Sequence, residues 1–194
     1  MNFSAPGSDE MAEMYQLNGL FLRLIQQAAE SGQTALGFPE ELLGQLATLD
    51  QGQLQRIAAV PRCLFALSVA RDQNSPLTPA PQTVWESARR SFAQAALYAA
   101  WTSVRRSSAV ARALYGLQVE PLRRLRILGI ADLVRQATDP HVVCCSFAAV
   151  PGVWHALIDS PSQPLPRALV LTLIAAGRGI PAAPTPTVAA VLAS

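Results

Sequence analysis

The amino-acid sequence predicts an all-α protein made of two tandem helical units that pack as an intramolecular pseudo-dimer, followed by a C-terminal docking tail. Three observations lead to this prediction. Helix-forming Ala and Leu are abundant, and 51% of the 194 residues are hydrophobic while only 14% are charged. Apolar residues recur at helical spacing. The second half of the chain also repeats the first half at a constant offset of 79 residues.

The first helix is predicted to run from Tyr15 to Leu36, where apolar side chains recur every three or four residues. Gly37 is suited to end it, because glycine readily adopts the left-handed conformation found after helix C-termini. Residues 1–12 are polar and are expected to be frayed.

Two short helices are predicted next. Pro39 and the two glutamates that follow it are typical of a first helical turn. Asp50 and Gln53 have the spacing of a capping box and open a third helix, which Pro61 ends. The apolar segment from Cys63 to Val69 is either extended or helical.

Composition divides the chain into four parts. Residues 1–70 form unit 1, residues 71–84 form a Pro-rich linker, residues 85–158 form unit 2, and residues 159–194 form a Pro-rich tail. Within the tail, residues 168–176 have almost no polar face and are predicted to form a short helix that docks on the body or on a partner.

The internal repeat is strongest in residues 37–61, where nine positions are identical to those 79 residues later, against roughly two expected by chance. The matches include residues that are suited to end helices, since Gly37 is paired with Gly116 and Pro61 is paired with Pro140. Each unit alone is close to the size at which a single core is marginal. We therefore expect the units to bury their apolar faces against each other, with a side-by-side arrangement that leaves each unit to an outside partner as the alternative.

Unit 1 also resembles a known family. The resemblance is carried by the segments Leu24–Gln27, Leu36–Leu42, Gln45–Leu49, Gln53–Leu54 and Ile57–Ala58, together with Cys63. The family that they resemble is FlhD, a flagellar transcriptional regulator. The resemblance covers about residues 15–67, and residues 91–147 match more weakly. It implies a small, helical, bacterial protein that regulates transcription together with a partner such as FlhC. The duplication, the tail, and Val142 in place of a second matching cysteine depart from the family and favour a divergent paralogue.

Charge is distributed unevenly along the chain. Residues 1–60 hold seven acidic and two basic residues, whereas residues 85–135 hold nine arginines and three acidic residues. The candidate binding residues are Arg105, Arg106, Arg112, Arg123, Arg124 and Arg126. The first three are expected to lie on one helix, and the last three on the short helix that follows it. They could contact DNA phosphates, an acidic protein partner, or only solvent.

The cysteines and histidines offer little chemistry. Cys63 is either a buried apolar residue, which is the commoner state of a free cysteine, or an interface thiol, since the matching cysteine of the resembling family can bridge two subunits. Cys144 and Cys145 are adjacent, whereas zinc ligands are usually separated by two to four residues, so no metal or other cofactor is expected. The only histidines are His141 and His155, and no Gly-rich phosphate loop is present, so we do not expect an enzyme.

No apolar run is long enough to span a membrane, and the acidic start does not resemble a signal peptide, so a cytoplasmic location is expected. Two functions stay open. The first is a transcriptional regulator of the FlhD type that acts through protein partners and DNA. The second is an adaptor or assembly factor, without DNA binding, for a secretion or motility apparatus.

Overall fold

The computed structural model describes residues 6–33, 36–69, 83–148 and 150–159. Within them the chain is mainly helical. The helices are α1 (Ser8–Glu30), α2 (Glu40–Ala47), α3 (Gln51–Ala58), α4 (Val84–Arg106), α5 (Ser108–Tyr115), α6 (Val119–Ile127), α7 (Ile130–Gln136) and α8 (Pro151–Asp159), and the strands are β1 (Phe65–Leu67) and β2 (Val143–Cys145). The predicted all-α class is therefore correct in its main feature, with one short pair of strands added.

Helix α1 begins and ends earlier than the spacing of apolar residues predicts. It starts at Ser8, because the backbone amide of Gly7 donates to the Glu10 carboxylate at 2.9 Å and acidic side chains favour a helix N-terminus. The predicted fraying of residues 1–12 is thus wrong for residues 8–12. The helix ends before Gly32, whose φ of 62° is left-handed, rather than at Gly37.

The short helices of unit 1 agree with their sequence signals. Pro39 directly precedes α2, and the Asp50–Gln53 capping box opens α3 through two reciprocal hydrogen bonds of 2.8 Å. In unit 2 the long helix is interrupted. Ser107 is extended, and its hydroxyl accepts a hydrogen bond from the Val110 amide to start α5.

The segment from Cys63 to Val69 contains a strand. Strand β1 pairs antiparallel with β2, and Phe65 lies opposite Cys145. The backbone amide of Cys63 donates to the Leu114 carbonyl at 3.0 Å, and that of Cys145 donates to the Leu36 carbonyl at 2.7 Å. The β1 segment is therefore held by α5 of the other half, and the β2 segment is held by the turn region between α1 and α2.

The two halves share one hydrophobic core. Three phenylalanines from both halves form its centre, with ring centroids 5.1 to 5.8 Å apart: Phe21, Phe65 and Phe92. Trp154 of α8 crosses to unit 1 and meets the ring of Phe38 edge-on at 4.8 Å. Shared burial of this kind removes apolar surface that a single unit of this size would leave exposed.

The linker and the tail lie outside the described residues, apart from the positions that begin α4 and end α8. The linker's last residue, Val84, belongs to α4, whose first turn is capped by the Thr83 hydroxyl. The predicted apolar helix in residues 168–176 also falls outside the described part of the chain.

Candidate interaction surface

The predicted basic residues lie on three consecutive helices of unit 2. Arg105 and Arg106 end α4, Arg112 lies on α5, and Arg123, Arg124 and Arg126 lie on α6. The prediction that the first three share one helix is wrong, because Ser107 separates α4 from α5. Helices α4, α5 and α6 nevertheless pack against each other. All six side chains except Arg124 are exposed.

Arg124 has a structural role instead. Its side chain is only 22% exposed, and the guanidinium pairs with the Glu120 carboxylate at 3.2 Å. The same group donates to the carbonyl of Val69 at 3.1 Å, which ties α6 to the segment after β1. Because its donors are used within the fold, we remove Arg124 from the candidate binding residues. The exposed arginines Arg105, Arg106, Arg112, Arg123 and Arg126 are called the arginine surface below.

An aromatic row on α4 borders the arginine surface. Tyr98 and Trp101 have ring centroids 5.8 Å apart, and the Arg105 guanidinium lies 4.7 Å from the centroid of the Trp101 ring. Residues spaced by three and four positions lie on one helix face, so the three side chains form a continuous row. Tyr98 is 53% exposed. Stacking on an indole holds a guanidinium in place while its donors stay accessible.

Exposed aliphatic side chains lie beside this row. The Trp101 indole N–H donates to the carbonyl of Leu128 at 2.9 Å, which fixes the turn between α6 and α7 against α4. Ile127 and Ile130 flank that carbonyl and are 80% and 61% exposed. Val134, one turn further along α7, is also exposed. We call Tyr98, Trp101, Ile127, Ile130 and Val134 the α4–α7 face.

The sequence analysis missed the α4–α7 face, although the repeat contains the signal. The positions 79 residues before Ile127, Ile130 and Val134 are occupied by Thr48, Gln51 and Gln55, which are exposed and polar. At the core positions the two halves instead agree, since Leu46 and Leu125 are both fully buried. The isoleucines and the valine are therefore not needed to build the helical unit.

Cys63 lies inside the protein. It is 1% exposed, and burial raises the pKa of its thiol well above the ordinary range. An interface thiol must be accessible to a second chain and ionisable. The structure therefore favours the interpretation of Cys63 as a buried apolar residue over its interpretation as an interface thiol. Cys144 is exposed and Cys145 is buried behind it, where the Trp154 indole N–H donates to the neighbouring Ser146 carbonyl.

Other features of the described residues carry no assigned chemistry. Groups of three or more His, Cys, Asp or Glu side chains placed to hold a metal ion do not occur among them. An apolar groove of about 290 Å³ runs between α1 and α4, lined by Leu20, Leu24, Phe92 and their neighbours. None of the described helices combines the length and the hydrophobicity that a membrane crossing requires.

Comparison of the chain with protein-family models, with curated proteins and with solved structures finds no match. The functional assignment therefore depends on the geometry of the surface and on the sequence pattern.

Proposed function

We propose that this chain is a bacterial regulatory protein of the FlhD type that acts by binding other proteins, and that it is not an enzyme. One observation carries the proposal. A two-unit helical body exposes aromatic, aliphatic and arginine side chains on unit 2 at positions where unit 1 has Gly, Thr, Gln and Ala. A protein that evolves a binding site on one copy of a duplicated unit would have this asymmetry.

Several features support the duplication. Helices α6 and α7 begin 79 residues after α2 and α3, the offset of the sequence repeat. Gly37 and Gly116 both adopt a left-handed conformation, with φ of 76° and 65°. The strand pairing fits an internal two-fold axis, since moving each residue of the pair Phe65 and Cys145 by 79 positions gives the observed pair Cys144 and Ala66.

The arginine surface supports DNA binding as a second activity of the same regulator. Arg106, Arg112, Arg123 and Arg126 are exposed on three packed helices, and phosphate contacts require accessible cationic side chains. The α4–α7 face supports protein binding more directly, because the centres of protein interfaces are apolar and Trp, Tyr and Arg side chains contribute much of the affinity there. An adaptor without DNA binding is the alternative that this face also fits.

The test is a pull-down of the full-length chain from native lysate, with and without nuclease. It compares the wild type with a variant carrying Arg106→Ala, Arg112→Ala, Arg123→Ala and Arg126→Ala, while Arg124 is kept because it supports the fold. The Arg23→Ala variant, which removes an exposed arginine of unit 1, is the control. We expect a protein partner to co-purify with the wild type in both conditions.

The DNA arm separates the two functions. If the chain contacts DNA, nuclease-sensitive DNA co-purifies with the wild type and with the control but not with the four-arginine variant. Binding of the purified chain to duplex DNA should then weaken steeply with salt. The logarithm of the binding constant should fall with the logarithm of the salt concentration, with a slope of about 0.9 for each phosphate contact. Retention of a protein partner without DNA would make the chain an adaptor. Absence of both would contradict the proposal.

A further inference from the structure

We infer that the α4–α7 face is the docking site for an acidic protein segment that packs apolar side chains over Trp101 and the turn joining α6 to α7. This inference rests on the proposed function, and it adds the surface and the chemistry of the partner. The face is apolar at its centre and cationic at its edge. Ile127 and Ile130 project from the turn, and the guanidinium of Arg105 is held over the indole at 4.7 Å.

The apolar centre incurs a cost that the fold does not require. An isoleucine that is 80% exposed keeps most of its side chain in water, and burying such a side chain in an interface is favourable. Unit 1 builds the same turn with Thr48 and Gln51. Unit 2 therefore holds these apolar side chains for a contact outside the described fold, and interface centres have this composition.

The cationic edge determines the charge of the occupant. Arg105, Arg123 and Arg126 are exposed on the two helices that border the face, and the only acidic group on α6, Glu120, is paired with Arg124. A segment that carries Asp or Glu around its apolar anchors would complement this edge. Complementary charges of this kind speed association and exclude wrong partners.

Two other occupants fit the charges poorly. A second copy docked by two-fold symmetry would place each Arg-rich edge close to its own equivalent, which is unfavourable. The tail of the same chain is apolar enough in residues 168–176, but beyond Asp159, which ends α8, it carries Arg167 and Arg178 and no acidic residue. Like charges would then meet at the edge, so the acidic segment of another protein is the better match.

The test uses a phage-displayed library of random peptides of ~16 residues, a length that covers one helix or strand on such a face. The full-length chain is the bait. A variant with the unit 1 residues at the equivalent positions, Ile127→Thr, Ile130→Gln and Val134→Gln, is used for counter-selection. These residues already occupy the same elements in unit 1, so the variant should fold, and its thermal unfolding is measured as a check. Val84→Thr, at an exposed valine outside the face, is the matched control.

We expect the enriched peptides to be acidic, with apolar residues at helical or alternating spacing. A synthetic fluorescent copy should bind the wild type and Val84→Thr equally, and should bind the triple variant and Arg105→Gln at least about tenfold more weakly. Replacing the acidic residues of the peptide with lysine should abolish binding.

Four results would overturn the inference. The first is that no peptide binds the wild type in preference to the triple variant. The second is that the enriched peptides are neutral or basic. The third is a concentration-dependent dimer of the wild type that the triple variant abolishes, because a second copy would then be the occupant. The fourth is a large gain in peptide affinity when Leu171→Glu and Ile174→Glu are introduced, because the tail would then occupy the face. Peptide binding as expected, combined with a pull-down that yields no partner, would support the docking face and contradict only the regulatory function.

Discussion

Asn18 and Leu64 connect the first helix to the first strand: the backbone amide of Leu64 donates to Oδ1 of Asn18 at 2.8 Å. The Asn18 side-chain amide also donates to the carbonyls of Ala58 and Arg62, at 3.1 and 2.9 Å. The Asn18 side chain is fully buried, so these three backbone groups depend on it, and not on water, for this hydrogen-bond partner. One asparagine thus satisfies three backbone groups around the end of α3 and the start of β1.

Replacing Asn18 should therefore be costly. Asn18→Ala leaves an amide and two carbonyls without their partner, and we expect the free energy of unfolding to fall by about 3 kcal/mol or more. Urea unfolding of the purified chain measures the change. Gln16→Ala, at an exposed position of the same helix, should stay within about 0.5 kcal/mol of the wild type. A loss below about 1 kcal/mol for Asn18→Ala would show that these bonds are readily replaced.

The two left-handed glycines provide a matched pair. Alanine at Gly37 meets no atom within 4 Å and should cost about 1 to 2 kcal/mol, the penalty of the left-handed conformation alone. Alanine at Gly116 would collide with the guanidinium of Arg62, which is buried and lies 6.0 Å from the Phe147 ring centroid. We expect Gly116→Ala to lower the midpoint of thermal unfolding more than Gly37→Ala. Equal losses would mean that Arg62 moves aside without cost.

The structural role of Arg124 is tested against its neighbour. Arg124→Ala removes a charged donor from the Val69 carbonyl and an ion pair with Glu120, and should destabilise the fold by about 1 to 2 kcal/mol. Arg123→Ala removes an exposed side chain and should change the stability by less than about 0.5 kcal/mol. Chemical denaturation compares the two. A similar effect of both substitutions would return Arg124 to the arginine surface.

The buried thiols predict a loss of stability in alkali. Burial raises the pKa of Cys63 and of Cys145 far above the value of 9.0 expected in the unfolded chain. Above pH 9.0 the unfolded chain releases these protons while the folded chain keeps them, so the stability is fully present below this pH and falls as the pH rises. Each thiol should contribute a slope that is about half of 1.4 kcal/mol per pH unit at pH 9.0 and approaches the full value at higher pH.

Urea unfolding in the presence of a reductant, over the range of about pH 8 to 10, measures this slope. Cys63→Ala should lower the free energy of unfolding at every pH. It should also make the fall of this free energy above pH 9.0 less steep, by the contribution of one thiol. An alkaline slope that is unchanged in Cys63→Ala would contradict the burial of an un-ionised thiol at this position.

Local signals in the sequence predicted much of the secondary structure. The Asp50–Gln53 capping box and Pro39 identify the starts of α3 and α2, because capping depends on residues only a few positions apart. The early start of α1 at Ser8 was missed, since it depends on a hydrogen bond from Gly7 rather than on an apolar pattern. The interruption at Ser107 was also missed, because an extended residue between two helical segments leaves the apolar spacing nearly unchanged.

The binding surface was predicted only in part. The arginines were found because charge is visible in the sequence, but the loss of Arg124 to Val69 depends on a contact between positions 55 residues apart. The α4–α7 face was missed because an isoleucine on a helix is expected to be buried, and only the fold shows that Ile127 is exposed. Comparing the two halves position by position would have pointed to it.

The sequence by itself determined the helical class, the spacing of the short helices and the 79-residue repeat, because these depend on propensity, capping and apolar periodicity over short distances. The tertiary structure alone decided how the halves meet. It pairs Phe65 with Cys145, buries Cys63 and leaves Ile130 exposed. These outcomes depend on contacts between distant parts of the chain, where shape and shared burial rather than local preference set the free energy.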